Sequence, residues 1–123
     1  MNALRTTFAL LALCWLGAGC SDQPAVPSGV NGDPDRGKLL LRQYGCGTCH
    51  TIPGVPSARG NVGPPLEGIS KRVYLGGVIT NTPGNMIRWI RTPEQVDPRT
   101  AMPNLQVSEA HAQDMIAYLY RLK

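Results

Sequence analysis

The sequence predicts an all-α fold of three to four helices joined by long loops. Two segments near the ends of the domain combine helical spacing of apolar residues with good capping residues, and no alternating apolar run is long enough to indicate a sheet. The 11 prolines and 14 glycines punctuate the rest of the chain, where they predict loops. Because long loops are hard to stabilise in a small domain, we expect them to wrap a bound group that adds to the core.

The first residues have the pattern of an export signal. Arg5 gives a short basic start, residues 8–16 are almost purely apolar, and small residues follow before Cys20. The apolar stretch is too short to span a bilayer, so removal of residues 1–19 is expected. The sequence therefore predicts export to the periplasmic side.

Cys20 is a candidate lipid attachment site. Small residues followed by a cysteine resemble a bacterial lipoprotein box, in which the cysteine carries lipid and begins the mature chain. Lipid on Cys20 would anchor the protein to a membrane, whereas ordinary cleavage nearby would leave it soluble. Residues 20–32 are then the lipidated cysteine and a flexible linker rich in Pro, Gly and Ser, and residues 33–123 form the domain.

The first helix of the domain is predicted from Asp33, which can cap it, to about Tyr44. Pro34 suits the first helical position, and an acidic residue follows near the positive end of the helix dipole. Shorter helices are predicted over Leu66 to Lys71 and over Pro83 to Arg91, the latter capped by Thr82 or Asn81.

The last helix is predicted to begin after the cap residue Ser108. Its apolar residues recur at helical spacing and form a stripe made of Ala112, Met115, Ile116, Leu119 and Leu122. Basic residues at the C-terminal end complement the helix dipole.

Residues 46–50 read Cys-Gly-Thr-Cys-His, the attachment signature of c-type haem. Cys46 and Cys49 can each add to one vinyl group of the haem, and His50 offers an imidazole to the iron. A redox dithiol or half of a zinc site are the alternatives. A zinc site needs a second Cys or His pair, and a thioredoxin-like dithiol needs a βαβ context; the sequence indicates neither.

Met102 is the predicted second axial ligand of the iron. It lies in a proline-bounded loop without helical periodicity, 52 positions after His50, whereas Met86 and Met115 fall in apolar helical patterns that predict core packing. A thioether ligand favours ferrous iron and raises the reduction potential. The alternatives are a loop methionine packed on the haem edge, or His111 as the ligand in place of Met102.

With these motifs in view, the chain resembles the class I c-type cytochromes over about residues 33–123. Gly37 and Leu41 are similar to the family's Gly-x-x-x-aromatic contact, with Leu41 at the aromatic position and Tyr118 as its counterpart on the last helix. The resemblance implies a cytochrome c-like fold in which the first and last helices cross closely at Gly37.

Residues 63–68, Gly-Pro-Pro-Leu-Glu-Gly, are similar to the family's Gly-Pro-x-Leu-x-Gly segment. The resemblance implies that the carbonyl of Pro64 accepts a hydrogen bond from His50, and that Arg72 lies near the haem propionates. Trp89 stands near the position where relatives carry Tyr beside the methionine, so it is a further candidate haem contact. A solvated surface position for Arg72 and plain core packing for Trp89 are the alternatives.

These observations predict a one-electron carrier, not an enzyme, with one covalent haem c and His/Met ligation. It would serve a periplasmic respiratory or dehydrogenase chain, with an oxidase, a quinol-oxidising complex or a dehydrogenase as redox partner and no small-molecule substrate. The alternatives are a haem enzyme or gas sensor with an open distal site, and a cytochrome subunit of a larger oxidoreductase complex.

The charge pattern limits the partners. The chain has 12 basic and 8 acidic residues, a net charge of +4, but its basic residues are dispersed, so nucleic acid is not an expected partner. If Arg59, Lys71 or Arg88 surround the haem edge, acidic docking partners follow, with association slowed by salt.

Overall fold

The computed structural model of the protein describes residues 26–123. The predicted export signal and Cys20 lie outside the described residues. Over residues 26–123, no helix combines the length and the apolar character needed to cross a membrane.

The described chain is mostly helical, as predicted. Its α-helices are α1 (Pro34–Gln43), α2 (Pro83–Arg91), α3 (Pro93–Val96) and α4 (Glu109–Leu119). Two 3₁₀ turns lie at Cys46–Thr48 and Ile69–Lys71, and a short antiparallel hairpin pairs β1 (Tyr74–Leu75) with β2 (Ile79–Thr80). The remaining residues are loops, which carry most of the candidate site.

The predicted helix caps are present. The Asp33 carboxylate accepts hydrogen bonds from the backbone N–H groups of Asp35 and Arg36, and the Ser108 hydroxyl accepts one from the first turn of α4. Of the two candidate caps of α2, Thr82 accepts from the Asn85 N–H. These bonds satisfy N–H groups that have no partner inside their helices.

Helices α1 and α4 cross in close contact, as the resemblance implies. Gly37 is buried at the crossing, and a Cβ atom there would lie 1.9 Å from the backbone oxygen of Asp114. The whole predicted stripe of α4 is buried. The two ends of the domain thus form one packed pair that supports the loops between them.

Asp114 is a buried carboxylate that the sequence did not single out. Only 2% of it is exposed, yet its oxygens accept from the guanidinium of Arg36 and from the backbone N–H of Asp33 at 2.8 Å. These partners hold the pKa of the Asp114 carboxyl below its ordinary value, the hydrogen bond from Arg36 being the largest cause. The negative charge of Asp114 therefore stabilises the crossing of α1 and α4 through its ion pair with Arg36.

The core lies between this helix pair and the central loops. Its buried apolar residues are Leu40, Leu41, Ile52, Val55, Ala58, Ile69, Leu75, Met86, Ile90, Val107, Ala112, Met115, Ile116, Leu119, Tyr120 and Leu122. Val26 and Val30 also pack against it. Within residues 26–32, then, the predicted linker lies on the domain instead of standing free of it.

The central region differs from the prediction in three places. The helix predicted over Leu66 to Lys71 is wrong: only the 3₁₀ turn Ile69–Lys71 forms, because Gly68 has φ +61° and the Leu66 N–H bonds the Thr51 carbonyl. Helix α3 and the β1–β2 hairpin were not predicted, since each spans too few residues to show a periodic pattern.

Candidate cofactor site

The Cys-x-x-Cys-His run folds into a tight turn directly after α1. Gly45 has φ +75°, a left-handed conformation that glycine adopts freely and that ends the helix. The 3₁₀ turn Cys46–Thr48 follows, and the His50 N–H donates to the Cys46 carbonyl at 3.0 Å. This local geometry brings both thiols and the imidazole to the wall of one cavity.

Backbone hydrogen bonds tie the next loop to this turn. The Gly60 N–H donates to the Gly47 carbonyl at 3.0 Å, and the Gly63 N–H donates to the Cys49 carbonyl at 2.8 Å. The loop and the turn approach so closely that a Cβ atom on Gly60 would lie 2.3 Å from the Thr48 backbone oxygen. These hydrogen bonds fix which residues of the loop lie beside which residues of the Cys-x-x-Cys-His turn.

This alignment places the His50 ring beside the Pro64 carbonyl. The Nδ1 atom of His50 lies 2.7 Å from the Pro64 carbonyl oxygen, and since a carbonyl can only accept, Nδ1 carries the proton. Nε2 then keeps its lone pair for a metal. Gly63 leaves room for the ring, because a Cβ atom there would lie 2.3 Å from its Cε1 atom. The hydrogen bond implied by the resemblance is present.

The seven predicted cofactor-binding residues line a single cavity of about 580 Å³. They are Cys46, Cys49, His50, Pro64, Arg72, Trp89 and Met102. The volume falls within the roughly 300–1,000 Å³ usual for cofactor pockets, and the wall is mainly apolar. Residues far apart in the sequence therefore line the same cavity.

Met102 reaches the cavity from the loop between α3 and α4. It is half-buried, and its backbone N–H donates to the Thr100 hydroxyl at 3.1 Å. Met86 and Met115 are buried, as predicted, but they line the cavity too. Three thioethers therefore border the cavity, a fact that helical periodicity alone did not indicate.

The Arg72 side chain lines the cavity while its guanidinium bonds to the preceding loop. It donates to the Pro65 carbonyl and, at 3.4 Å, to the Glu67 carbonyl. Asn81, which the sequence offered only as a possible helix cap, holds the same segment from the other side. Its side-chain amide donates to the Ile69 and Arg72 carbonyls at 2.8 and 2.9 Å.

Asn81 also accepts a hydrogen bond from the Tyr120 hydroxyl at 3.1 Å. All its side-chain hydrogen-bonding groups are engaged, so it links the Arg72 segment of the cavity wall to the residue that follows α4. No pattern in the sequence marks this role, because the partners come from two segments, one 9 to 12 positions before Asn81 and the other 39 positions after it.

Trp89 is half-buried, lines the cavity and packs against the hairpin turn. Gly76 has φ +56°, and a Cβ atom there would lie 2.6 Å from the indole ring. The hairpin and α2 therefore form a continuous part of the cavity wall. Trp89 combines the two roles that the sequence left open, packing and a place at the cavity.

His111 and Tyr118 lie outside the cavity lining. Nδ1 of His111 is 2.9 Å from the Tyr44 hydroxyl, with the rings edge to face. The Tyr118 hydroxyl donates to the Pro53 carbonyl at 2.7 Å. The His111 contact joins α4 to the end of α1, and the Tyr118 hydrogen bond joins α4 to the loop after His50. His111 is therefore not positioned as a polar group on the distal side of a haem.

The donor set fits a covalent haem. Two thiols, an imidazole with its tautomer fixed and a thioether border a mainly apolar cavity. Burial raises the pKa of the free Cys46 thiol, which is the reverse of the lowered pKa of a reactive dithiol. In the described chain, no three His, Cys, Asp or Glu residues group to hold a metal by themselves.

Comparison with known proteins agrees with this fit. The family model described as cytochrome c matches residues 34–123. Cytochrome c2 from Rhodobacter sphaeroides has a similar fold, with a TM-score of 0.52 and 18% sequence identity over 74% of this chain and 96% of that one. A search of the curated proteins gives no match.

Proposed function

The chain belongs to the cytochrome c family, and on that basis we propose that it is a one-electron carrier whose haem iron is held by His50 and Met102. Membership of the family implies a covalently bound haem c and haem-based electron transfer. The pairing of His50 with Met102 and the choice of pathway go beyond what family membership implies.

The observation that carries the proposal is that His50 and Met102 border the same cavity. Of the three methionines on its wall, Met86 and Met115 sit in helices and are 2% and 0% exposed. Met102 is on a loop, where its side chain is free of the packing that a helix imposes. It is therefore the thioether best suited to hold an iron together with His50.

The residues of the chain have distinct tasks in this function. Bound haem c supplies an iron that cycles between the ferric and ferrous states. Pro64 orients the imidazole and strengthens it as a donor. The Met102 thioether favours the ferrous state. The apolar wall would exclude water, and an iron held by both His50 and Met102 would have no free position for a substrate.

Three methionine variants test the ligand. Met102→Leu is expected to remove the methionine-linked band of the ferric spectrum and to lower the reduction potential. It should also make the reduced protein bind carbon monoxide rapidly. Met86→Leu and Met115→Leu are the matched controls and keep the band. Rapid carbon monoxide binding by the unmutated protein would instead favour the enzyme or gas sensor with an open site.

We further propose that the protein is exported, bears lipid on Cys20 and serves a periplasmic respiratory or dehydrogenase chain. The support is the sequence pattern of residues 1–20. Its redox partner would be an oxidase, a quinol-oxidising complex or a dehydrogenase. Mass spectrometry of the purified protein reports haem and lipid together, and an unmodified Cys20 would contradict the anchor. Stable co-purification with an oxidoreductase would favour a subunit over a free carrier.

A further inference from the structure

Exposed apolar side chains gather around the haem cavity. The described residues include six large apolar side chains that are exposed; three of these line the cavity, and two more lie within two residues of lining residues in the chain. We name these five the apolar rim: Val62, Val73, Tyr74, Val78 and Leu105, which are between 38% and 73% exposed. The sixth is Leu39 on α1, away from the cavity lining.

The apolar rim is continuous with the cavity. Val62, Tyr74 and Leu105 line the cavity and are exposed at the same time, so they form its edge. Val73 directly precedes β1, which carries Tyr74, and Val78 directly precedes β2. Exposed apolar side chains gathered at the edge of a functional site are typical of an interaction surface.

Charge is nearly absent from the segments that carry the rim. No Asp, Glu, Lys or Arg occurs from residue 60 to 66, from 73 to 87 or from 100 to 108. Arg59, Lys71 and Arg88, the residues whose presence would favour an acidic partner, are not among the cavity-lining residues. These three cations therefore form no part of the cavity edge itself, which is made by Val62, Tyr74 and Leu105.

The charged residues that do line the cavity are engaged within the chain. Arg72 donates to backbone carbonyls, as described above. Asp97 accepts from the Arg99 N–H at 3.0 Å and lies 3.6 Å from its guanidinium. Arg72 and Asp97 carry opposite charges, so these two charges on the cavity lining offset each other.

We propose that the apolar rim is the docking surface for a redox protein whose own contact face is apolar and poor in charge. This inference rests on the proposed electron-carrier function and specifies the partner's chemistry. The complementarity is one of charge: an acidic or basic face would lose hydration against the rim without gaining an ion pair. Apolar contact also suits the small, short-lived interfaces of electron transfer.

A lipid surface is a less suitable occupant. Attraction to anionic headgroups needs clustered Lys and Arg, and the three rim segments contain none. The rim is instead a patch of side chains next to the cofactor, where contact shortens the path of the electron to a protein acceptor.

Voltammetry of the holoprotein on electrodes of defined chemistry tests the proposal. The probes are gold surfaces coated with methyl-terminated or carboxylate-terminated monolayers. The double variant Val73→Ser/Val78→Ser removes two rim side chains that do not line the cavity, and Leu39→Ser is the matched control. Unchanged absorption spectra and reduction potentials in all variants would show that the haem site itself is intact.

The expected result is faster electron transfer on the methyl surface, with less than about a twofold change between about 0.01 M and 1 M salt. The double variant is expected to reduce surface binding there about tenfold, since each valine loses apolar contact, and Leu39→Ser to leave it unchanged. A preference for the carboxylate surface, strong salt dependence, or equal effects of both variants would overturn the proposal.

Two further measurements separate other occupants. Binding to phosphatidylcholine vesicles, or dimer formation in sedimentation, that decreases in the double variant but not in Leu39→Ser would assign the rim to a membrane or to a second copy, and would overturn docking of a redox partner. Failure of this proposal leaves the haem spectrum and potential unaffected, whereas failure of the His/Met carrier appears in those two quantities first.

Discussion

Gly37 of α1 lies against the backbone carbonyl of Asp114 on α4, with no room between them for a methyl group. The side chain of the same aspartate bonds back to Arg36 and Asp33 at the start of α1. One residue of α4 therefore holds α1 through its backbone and through its carboxylate, and the cavity is built on this pair of helices.

Replacing Gly37 is expected to separate the two helices. A Cβ atom would lie 1.9 Å from the Asp114 oxygen, so Gly37→Ala should lower the free energy of unfolding by about 1–3 kcal/mol. Guanidinium unfolding of the holoprotein measures this. Gly84→Ala is the control, because nothing lies within 4 Å of that position in α2. Equal stability of the two variants would contradict the close crossing.

Neutralising Asp114 is expected to destabilise the protein in a pH-dependent manner. Because its pKa is lower in the folded chain than in the unfolded one, the stabilisation is complete above the unfolded value of about 3.9 and is lost as the pH falls through the folded value. Asp114→Asn should therefore unfold more readily than the parent at pH 7, with a difference that narrows in acid. Chemical denaturation across the pH range measures this, and a constant difference would contradict it.

Asn81 is expected to hold the cavity wall at Arg72. Asn81→Ala removes the hydrogen bonds to the Ile69 and Arg72 carbonyls and the one from the Tyr120 hydroxyl, at a cost of about 1–3 kcal/mol of unfolding free energy. Because Arg72 is on the freed segment, the reduction potential should shift as well. Asn85→Ala, which removes one side-chain bond to Thr80, is the control. An unchanged potential would limit Asn81 to a structural role.

Gly63 is expected to set the position of the His50 ring. Gly63→Ala places a methyl group 2.3 Å from Cε1 of the ring, so the ring must shift and the hydrogen bond from Nδ1 to Pro64 should weaken. Exchange of the Nδ1 proton with solvent, followed by NMR, should become about fivefold faster or more. Gly84→Ala should leave that exchange unchanged. Equal proton exchange rates in both variants would show that the orientation of the His50 ring does not depend on Gly63.

A chain that cannot attach haem is expected to lose most of its fold. Without haem, the apolar wall of a cavity of about 580 Å³ would face water, and the lost burial would be a large fraction of the roughly 5–15 kcal/mol by which a typical domain is stable. Cys46→Ser/Cys49→Ser should therefore show weak helical circular dichroism. A native helical spectrum without haem would show that the loops pack independently.

The parts of the fold that depend on neighbouring residues were predictable from the sequence. Asp33 and Ser108 cap their helices through bonds to N–H groups two or three residues away, and the Cys-x-x-Cys-His run carries its chemistry within five residues. By contrast, Asn81 and Asp114 act through partners 39 and 78 positions away. Their roles depend on which carbonyls and cations the tertiary fold brings near, and no local pattern encodes that.

The same distinction explains the wrong helix at residues 66–71. Leu66 and its neighbours have acceptable helical spacing, but the Leu66 N–H donates to Thr51. Tertiary hydrogen bonding to the loop after His50 takes precedence over the local preference. The segment is therefore shaped by the cofactor site and not by its own periodicity.

The packing of Gly32 beside α4 has a consequence for how the protein works at a surface. A Cβ atom on Gly32 would meet the Gln113 backbone at 2.2 Å, and none of residues 26–40 lines the cavity. The polypeptide upstream therefore enters the domain beside the helix pair, and the apolar rim belongs to other segments. The anchor that we propose upstream of residue 26 would therefore leave the mouth of the haem cavity uncovered, and a partner could dock there while the protein stays attached.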